Sequence, residues 1–419
     1  MQRSDFLGLS AGGAAALLSL DQSIVNAKTV PTVVGDGVKP VDDFIAGFMK
    51  KWEIPAVSAA VSKDGRLVYA RGYGHADLAK TIAVTADHRF RIASSSKPIT
   101  AVGIMKLVQE GRLKLDAPAF ELLPHLPPPP GKREDPLLKM ITIRHLLEHS
   151  GGFDSTKTDP QFDALRSAAD AVGHARPASH SDIIRYVRGE PLAFTPGSKY
   201  LYSNFGYNVL GRVIEVKSGM AYGDYIRKEV LGPAAVLHME LGRTKPQDRL
   251  PREVEYWDDP YNPSYYSVYE DDPVVRTYSY GGFAMEAIDA HGGWVARPLD
   301  LTRFLDSVAG HTGNQLLKPE IVQEMLARPN LAQYRGSDKF YSLGWDVRRG
   351  KTIMAHNGAL TWGTASTIAR LPQGLTFAMC CNKLGYALID FVESLANDSV
   401  TVINKVRSWP DHDLYASYP

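Results

Sequence analysis

The order of strand-like and helical segments along the chain is the feature that most restricts its fold. Strand-like runs occur early, at residues 55–61 and 66–70, and are joined through Asp64-Gly65, a dipeptide typical of hairpin turns. Further strand-like runs follow much later, at residues 343–347, 352–355, 363–371 and 375–381. Strands at both ends of a chain with a helical middle favour one sheet interrupted by an inserted helical region.

Helical periodicity accounts for much of the intervening sequence. The periodic segments lie at residues 41–52, 97–111, 143–147, 183–187, 209–217, 222–230 and 300–308, with a final one at 388–406. We therefore predict a leader at 1–27, a sheet domain formed by 28–112 and 341–419, and a mostly helical subdomain with long loops at 113–340.

Composition and charge exclude several classes of function. The chain is 44% hydrophobic and 22% charged, which is ordinary for a globular protein with a large core. A formal net charge of +1 gives no electrostatic reason to expect binding to nucleic acid or to an anionic membrane. Cys380 and Cys381 are adjacent in an apolar run, so we interpret them as core residues rather than a disulfide. We expect no metal or cofactor, although Glu286, Asp289 and His291 lie close together in sequence.

The N-terminus has the organisation of an export signal. Arg3 precedes Phe6-Leu7, a run of apolar and small residues covers 11–20, and Val25-Asn26-Ala27 offers a small-residue cleavage site. The opening is similar to a twin-arginine signal, but Ser4 stands where the second arginine belongs. The apolar run is too short to span a bilayer. We therefore expect an exported, periplasmic protein without a stable membrane anchor.

The most informative chemical motif is Ser94-Ser95-Ser96-Lys97, the only S-x-x-K in the chain. It opens a helical segment, and a spacing of three places the Ser94 hydroxyl and the Lys97 amine on one helix face, one turn apart. A serine is a poor nucleophile until a base takes its proton, and a desolvated lysine is able to do so. We predict this role for the pair, whereas a helix cap beside a solvated lysine is the structural alternative.

A second motif, Tyr202-Ser203-Asn204, is the only Y-x-N in the chain and precedes a helical segment. Residues two apart in an extended loop point the same way, so the phenol and the amide are expected to face one cavity. A tyrosine near an ammonium group loses its proton below its usual pKa of about 10, which makes Tyr202 a candidate general base and acid. Asn204 is a candidate substrate contact, and a turn with a capping asparagine is the structural alternative.

A third motif, His356-Asn357-Gly358-Ala359, lies between two strand-like runs. Other H-x-G sequences begin at His149, His291 and His311, but only His356 precedes a convincing strand of the C-terminal region. A strand edge here would present the Ala359 N–H to a developing oxyanion, and the Ser94 N–H is a second candidate donor. A packed histidine at a strand end is the structural alternative.

Together the three motifs resemble the family of class C β-lactamases and penicillin-recognising serine hydrolases, which includes family VIII esterases, D-aminopeptidases and DD-peptidases. The resemblance covers residues 42–406 and extends to Leu146-Leu147-Glu148-His149-Ser150-Gly151-Gly152 and to Gly292-Gly293-Trp294. It implies an α/β fold of the α+β type, in which helices flank an antiparallel sheet and an all-α subdomain lies beside it. The active site is expected in the cleft between the two.

The resemblance also implies a role for each motif residue. Ser94 would be the acylated nucleophile, Lys97 its proton acceptor or electrostatic partner, and Tyr202 the shared acid and base. The implied substrate-binding residues are Asn204, His356, Gly358 and Ala359. One of them departs from the family pattern, because β-lactamases of this class have a lysine where this chain has His356. An unperturbed histidine is largely neutral at pH 7, which lowers the expected activity on β-lactams.

The predicted reaction is acyl transfer to water without a cofactor. Its expected substrates are small carboxylic esters or D-amino-acid amides and peptides, with β-lactams as slow substrates or acylating inhibitors. The alternative is a penicillin-recognising binding or sensor protein that is acylated but turns over negligibly. Oligomeric state is not predicted. The tyrosine-rich residues 256–280 either rim the cleft or pack as an ordinary loop, and they include Tyr261, Tyr265, Tyr266 and Tyr269.

Overall fold

The computed structural model describes residues 38–257, 265–272, 275–348, 350–360, 363–384 and 388–418. The predicted leader lies outside these residues. The helices are α1 (Lys39–Trp52), α2 (Lys97–Gln109), α3 (Ile143–Leu147), α4 (Pro160–Asp163), α5 (Leu165–Val172), α6 (His180–Arg188), α7 (Asn204–Ser218), α8 (Tyr222–Ile226), α9 (Pro298–Ala309), α10 (Pro319–Met325), α11 (Leu388–Glu393) and α12 (Ser399–Lys405). Within the described ranges, no helix combines the length and apolarity needed to cross a bilayer.

The strands form one large sheet and two small ones. Their bounds are β1 (Ala56–Lys63), β2 (Arg66–Gly74), β3 (Phe90–Arg91), β4 (Glu240–Leu241), β5 (Tyr265–Tyr266), β6 (Val275–Arg276), β7 (Trp294–Ala296), β8 (Phe340–Tyr341), β9 (Asp346–Arg348), β10 (Ile353–Leu360), β11 (Thr364–Arg370) and β12 (Leu375–Cys381). The large sheet has the order β2-β1-β12-β11-β10-β9-β8. Strands from both ends of the chain therefore share one sheet, as predicted.

The pairing between the two ends is antiparallel and regular. β1 pairs with β12 from Val57 opposite Cys381 to Lys63 opposite Leu375. On its other side β1 pairs with β2 through the predicted hairpin, where Asp64 and Gly65 adopt φ angles of 50° and 78°. Two successive positive φ values are the geometry of the turn type that Asp-Gly favours. The hairpin prediction is confirmed.

The prediction of one strand over residues 343–347 is wrong. Two short strands, β8 and β9, flank a tight turn in which Gly344 has a φ of 92°. A Cβ at Gly344 would lie 2.3 Å from the Cβ of Ala101, so the turn packs directly on α2. Leu343 and Trp345 are apolar because they enter the core from this turn. The apolar character of residues 343–347 therefore reflects packing into the core and does not indicate a strand.

Both faces of the large sheet are covered by helices. Val57, Ala59 and Val61 alternate along β1 and share a hydrophobic cluster with Ile45 and Phe48 of α1. The intervening residues face α9, where the hydroxyl of Ser62 donates to the carboxylate of Asp306 at 2.5 Å. A strand covered on both faces buries the residues of both faces and therefore has a nearly continuous apolar sequence, as β1 does. Cys380 and Cys381 are buried and unbridged, as predicted.

The helical region brings the three motifs to one place. The 3-10 turn Ala93–Ser96 and α2 follow β3 directly. α2 is buried along most of its length and packs against α7, whose first residue is Asn204. The same 3-10 turn also contacts β10 and β11. Residues from α2, from the start of α7 and from β10 therefore lie close together beside the large sheet.

Candidate active site

Ser94 lies on the 3-10 turn, where a close approach of β10 fixes the backbone. The preceding residue, Ala93, has a φ of 48°, a conformation that non-glycine residues adopt at a cost and that is enriched at functional sites. On the facing strand, a Cβ at Gly358 would lie 2.2 Å from the carbonyl oxygen of Ile92 and 3.0 Å from the Ser94 nitrogen. Only glycine permits this contact, and it holds the Ser94 turn against β10.

Lys97 is fully buried, with a relative exposure of 0%. Its Nζ lies 3.0 Å from Ser94 Oγ, 2.6 Å from Asn204 Oδ1 and 3.0 Å from the carbonyl oxygen of His291. Burial lowers the pKa of the Lys97 amine to about 7. A neutral amine has two N–H groups and one lone pair. The two carbonyl-type oxygens accept the two N–H groups, which leaves the lone pair for the Ser94 hydroxyl.

Tyr202 lies against the same amine, with its ring centroid 4.8 Å from Lys97 Nζ. Burial raises the pKa of Tyr202 above its ordinary value, although a hydrogen bond with Ser94 acts in the opposite direction. The sequence-based expectation of a lowered pKa fails here because the phenol is desolvated and the neighbouring amine is itself shifted towards its neutral form. Burial therefore favours the protonated phenol of Tyr202 and the neutral amine of Lys97.

Asn204 begins α7 and faces Lys97 with one end of its amide. Its Nδ2 donates to Asp159 Oδ2 at 2.5 Å. The helix cap is provided instead by Ser203, whose hydroxyl accepts from the Gly206 N–H. Tyr202 and Asn204 thus both contact the Lys97 amine. Asp159 was missed by the sequence analysis because it belongs to no motif and is brought here only by the fold.

His356 lies inside β10, whereas the sequence analysis placed it between two strands. It is 4% exposed. Its Nδ1 lies 2.8 Å from the Asn357 carbonyl oxygen, which only accepts, and its Nε2 lies 3.0 Å from the Tyr341 hydroxyl. Nδ1 therefore carries the proton and Tyr341 donates to Nε2. Burial, together with the charge of Lys97, lowers the pKa of His356 to about 3. It carries no positive charge at neutral pH.

The free edge of β10 is the place where an oxyanion site would form. β10 pairs with β11 as far as Leu360, but with β9 only as far as Ala355. Beyond Ala355 this edge faces the Ser94 turn, and Ala359 is half-buried there. Ser366 of β11 fixes the turn from below, because its hydroxyl donates to the Ile92 carbonyl at 2.6 Å. The N–H groups of Ser94 and Ala359 thus lie on facing segments.

Two further histidines surround Lys97, and the sequence analysis gave neither a role in the site. His149 has its ring centroid 4.3 Å from that of Tyr202 and accepts the Ser203 N–H at 3.2 Å. His291 contributes the carbonyl that binds Lys97. Burial and the nearby Lys97 lower the pKa of both imidazoles well below the usual value. Both imidazoles beside the amine are therefore neutral; burial lowers the pKa of Lys97, while the nearby Asp159 carboxylate acts in the opposite direction.

The remaining candidates of the sequence analysis have structural partners. Within the described ranges, no group of three or more histidine, cysteine or acidic residues is arranged to hold a metal. Asp289 pairs with buried Arg212 at 2.6 Å. Of the tyrosine-rich stretch, Tyr269 donates to Glu286 and Tyr256 to Glu253, which is loop packing. Tyr261 lies outside the described residues, as do the side chains of Tyr265 and Tyr266.

The fold is that of the beta-lactamase/transpeptidase-like proteins. The beta-lactamase family model matches residues 41–396, so this chain belongs to that family. The D-amino acid amidase from Ochrobactrum anthropi SV3 has a TM-score of 0.67 at 22% identity, covering 89% of this chain and 100% of the amidase. EstCE1, a hydrolase with promiscuous acyltransferase activity, has a TM-score of 0.66 at 17% identity, with coverages of 87% and 100%. These likenesses show the fold, and the family and fold predictions are confirmed.

Curated relatives match over a smaller part of their length. Protein flp of Staphylococcus aureus (strain COL) is 28% identical over 212 residues, which are 51% of this chain and 40% of that protein. The chain thus spans about two fifths of the length of this relative.

Proposed function

We propose that this protein is a serine hydrolase that forms an acyl-enzyme at Ser94 with small carboxylic esters and D-amino-acid amides. The environment of Lys97 is the observation that carries the proposal. A fully buried amine with a pKa of about 7 contacts the Ser94 hydroxyl, while two acceptor oxygens occupy its N–H groups. A neutral lysine held in this way is a general base that functions near neutral pH.

Acylation follows from these contacts. The Lys97 lone pair takes the Ser94 proton as Oγ bonds to the substrate carbonyl carbon, and the carbonyl oxygen becomes an oxyanion facing the Ser94 and Ala359 N–H groups. The bond to the leaving group then breaks, and the departing oxygen or nitrogen takes the phenolic proton of Tyr202. Tyr202 recovers a proton from the Lys97 ammonium. The net result is transfer of the serine proton to the leaving group.

Deacylation uses the same groups in the reverse order. Water attacks the acyl carbonyl while Lys97, neutral again, accepts a water proton through Tyr202. The bond between Ser94 and the acyl carbon breaks, and Ser94 Oγ takes the proton back from the Lys97 ammonium. The products are the free acid and the resting enzyme.

The protonation state of His356 determines which substrates we propose. β-Lactams and carboxyl-terminal peptides present a carboxylate, for which the site would need a cation at this position. His356 is neutral, and both of its nitrogens are engaged by Asn357 and Tyr341. We therefore place esters and amides that lack this carboxylate ahead of β-lactams. The related amidase and EstCE1 are consistent with such substrates.

The test compares three substrates and the mass of the protein. Hydrolysis of p-nitrophenyl butyrate, D-alanine p-nitroanilide and nitrocefin is measured side by side, and intact mass is recorded after rapid mixing. We expect fast release of p-nitrophenol or p-nitroaniline, slow nitrocefin turnover and a transient adduct. The Ser94→Ala variant should lose product and adduct. The matched Ser167→Ala variant, which changes a hydroxyl on α5 that bonds the Ala164 carbonyl, should keep both.

Two results would contradict the proposal. Full esterase activity in Ser94→Ala would show that another residue is the nucleophile. A persistent adduct without product would instead favour the penicillin-recognising binding protein.

A further inference from the structure

A buried carboxylate lies directly behind Asn204. Asp159 Oδ2 accepts the Asn204 Nδ2 proton at 2.5 Å, and Asp159 Oδ1 is buried without a hydrogen-bond partner among the described residues. Asp159 immediately precedes α4, but its side chain makes no capping bond to that helix. Its own N–H is bonded by the Asp163 carboxylate at 2.9 Å. The α4 terminus therefore does not depend on the Asp159 carboxylate, whose contact is with Asn204.

The direction of the Asn204 amide matters to Lys97. The two ends of an asparagine amide have nearly the same shape, and a flip exchanges the donor for the acceptor. In the observed orientation Oδ1 accepts from Lys97 at 2.6 Å. In the flipped orientation the amide NH₂ would face Lys97 and would donate to its lone pair. That lone pair is the one required for the Ser94 proton.

A carboxylate distinguishes these two orientations. An ionised carboxylate only accepts hydrogen bonds, so Asp159 binds the NH₂ end of Asn204 and rejects the oxygen end. Burial raises the pKa of Asp159 to about 6, so the group is ionised in the pH range where Lys97 is neutral. Neutral Lys97 permits either orientation of the amide, so Asp159 is the group that selects the one with Oδ1 towards Lys97.

We propose that Asp159 is a positioning residue that fixes the Asn204 amide with Oδ1 towards Lys97 and so keeps the Lys97 lone pair free for Ser94. The inference rests on the proposed function, in which Lys97 is the base. Asp159 acts through Asn204 and has no contact with the reacting atoms. The carboxylate is required because it has no proton to offer; a residue of the same shape that also donates would permit either orientation of the amide.

The decisive variant is Asp159→Asn. It preserves the shape of the side chain, but an asparagine pair is self-complementary in both directions. We expect kcat for p-nitrophenyl butyrate to fall about tenfold, because the flipped amide is then favoured by the hydrogen bond that it donates to the Lys97 lone pair. KM should change less than about twofold because Asp159 does not touch substrate. Removal of the charge also moves the acidic limb of the pH profile, so kcat is compared on the alkaline plateau. In the Asp159→Asn variant, the titratable groups that face Lys97 are Tyr202, Tyr207, His149, His291 and His356.

A double-mutant cycle tests the route through Asn204. In an Asn204→Ala background, Asp159→Asn should cause no further loss of kcat, because no amide remains to be oriented. Asp159→Ser, which removes the carboxylate with a smaller side chain, should give the same pattern and serves if the asparagine variant unfolds. Asp43→Asn is the matched control: it makes the same chemical change on an exposed residue of α1 and should keep kcat within about twofold.

Two results would overturn the positioning role. One is a plateau kcat in Asp159→Asn equal to that of the unaltered enzyme. The other is a loss of the same size with and without Asn204. Activity that survives in Ser94→Ala would contradict the proposed function instead, so the two failures are distinguishable.

Discussion

Replacement of Gly358 by alanine tests whether the contact between β10 and the Ser94 turn sets the geometry of the site. The new Cβ would lie 2.2 Å from the Ile92 carbonyl oxygen, 2.6 Å from Ser366 Oγ and 3.0 Å from the Ser94 nitrogen. Non-bonded heavy atoms pack at about 3.5 Å, so β10 and the turn must separate by about 1 Å. Two of the three contacts are with backbone atoms, which cannot move aside as a side chain does.

The expected effects of Gly358→Ala are large on activity and moderate on stability. A displacement of about 1 Å in a catalytic group costs about 100-fold in rate, and overpacking of this kind costs about 1–3 kcal/mol of unfolding free energy. The first is measured as kcat/KM on p-nitrophenyl butyrate and the second by guanidinium unfolding. Gly47→Ala is the control, because a Cβ there meets nothing within 4 Å and alanine is the better helix former.

The reasoning would be refuted if Gly358→Ala retained kcat/KM within about threefold of the unaltered protein at unchanged stability. The facing N–H groups of Ser94 and Ala359 would then not depend on this close approach.

Two further predictions concern the support of the site. Tyr341→Phe removes the hydroxyl that donates to His356 Nε2 at 3.0 Å. It should lower the unfolding free energy by about 1–3 kcal/mol, because a buried acceptor is left unpaired. Unchanged guanidinium unfolding would contradict the tautomer assigned to His356. Arg212→Met breaks the buried pair with Asp289 and should cost about 3–5 kcal/mol. The Arg212→Met variant should also have a lower kcat, since Asp289 is close in sequence to the His291 carbonyl that binds Lys97. A stable, fully active Arg212→Met protein would refute this prediction.

Local signals made much of the fold predictable. The Asp64-Gly65 turn, the limits of β12 and the single sheet built from both chain ends follow from turn chemistry and strand-like runs. Residues 343–347 were misassigned because the apolar character of a packed turn resembles that of a strand. His356 was placed beside a strand rather than inside β10 because glycine and asparagine in the motif weaken a strand pattern.

The reactive pair of the site was predictable, but its surroundings were not. Ser94 and Lys97 meet because they are one turn apart, and Tyr202 and Asn204 both reach Lys97 because they flank the extended residue Ser203. Asp159, His149 and Tyr341 reach the site through long-range packing, for which a single sequence carries no local signal. The protonated state of Tyr202 was likewise unpredictable, because it depends on burial rather than on the neighbouring residue type.

The pH dependence of acylation tests the central claim most directly. Lys97 is active when neutral, so kcat/KM for an uncharged ester should rise with pH, with an apparent pKa near the value of about 7 given by its burial, and then reach a plateau. Below that pKa the rate should fall about tenfold per pH unit. A profile that is flat from about pH 5 to 9, or whose rise has the ordinary lysine pKa of about 10.4, would show that a desolvated, neutral Lys97 is not the base.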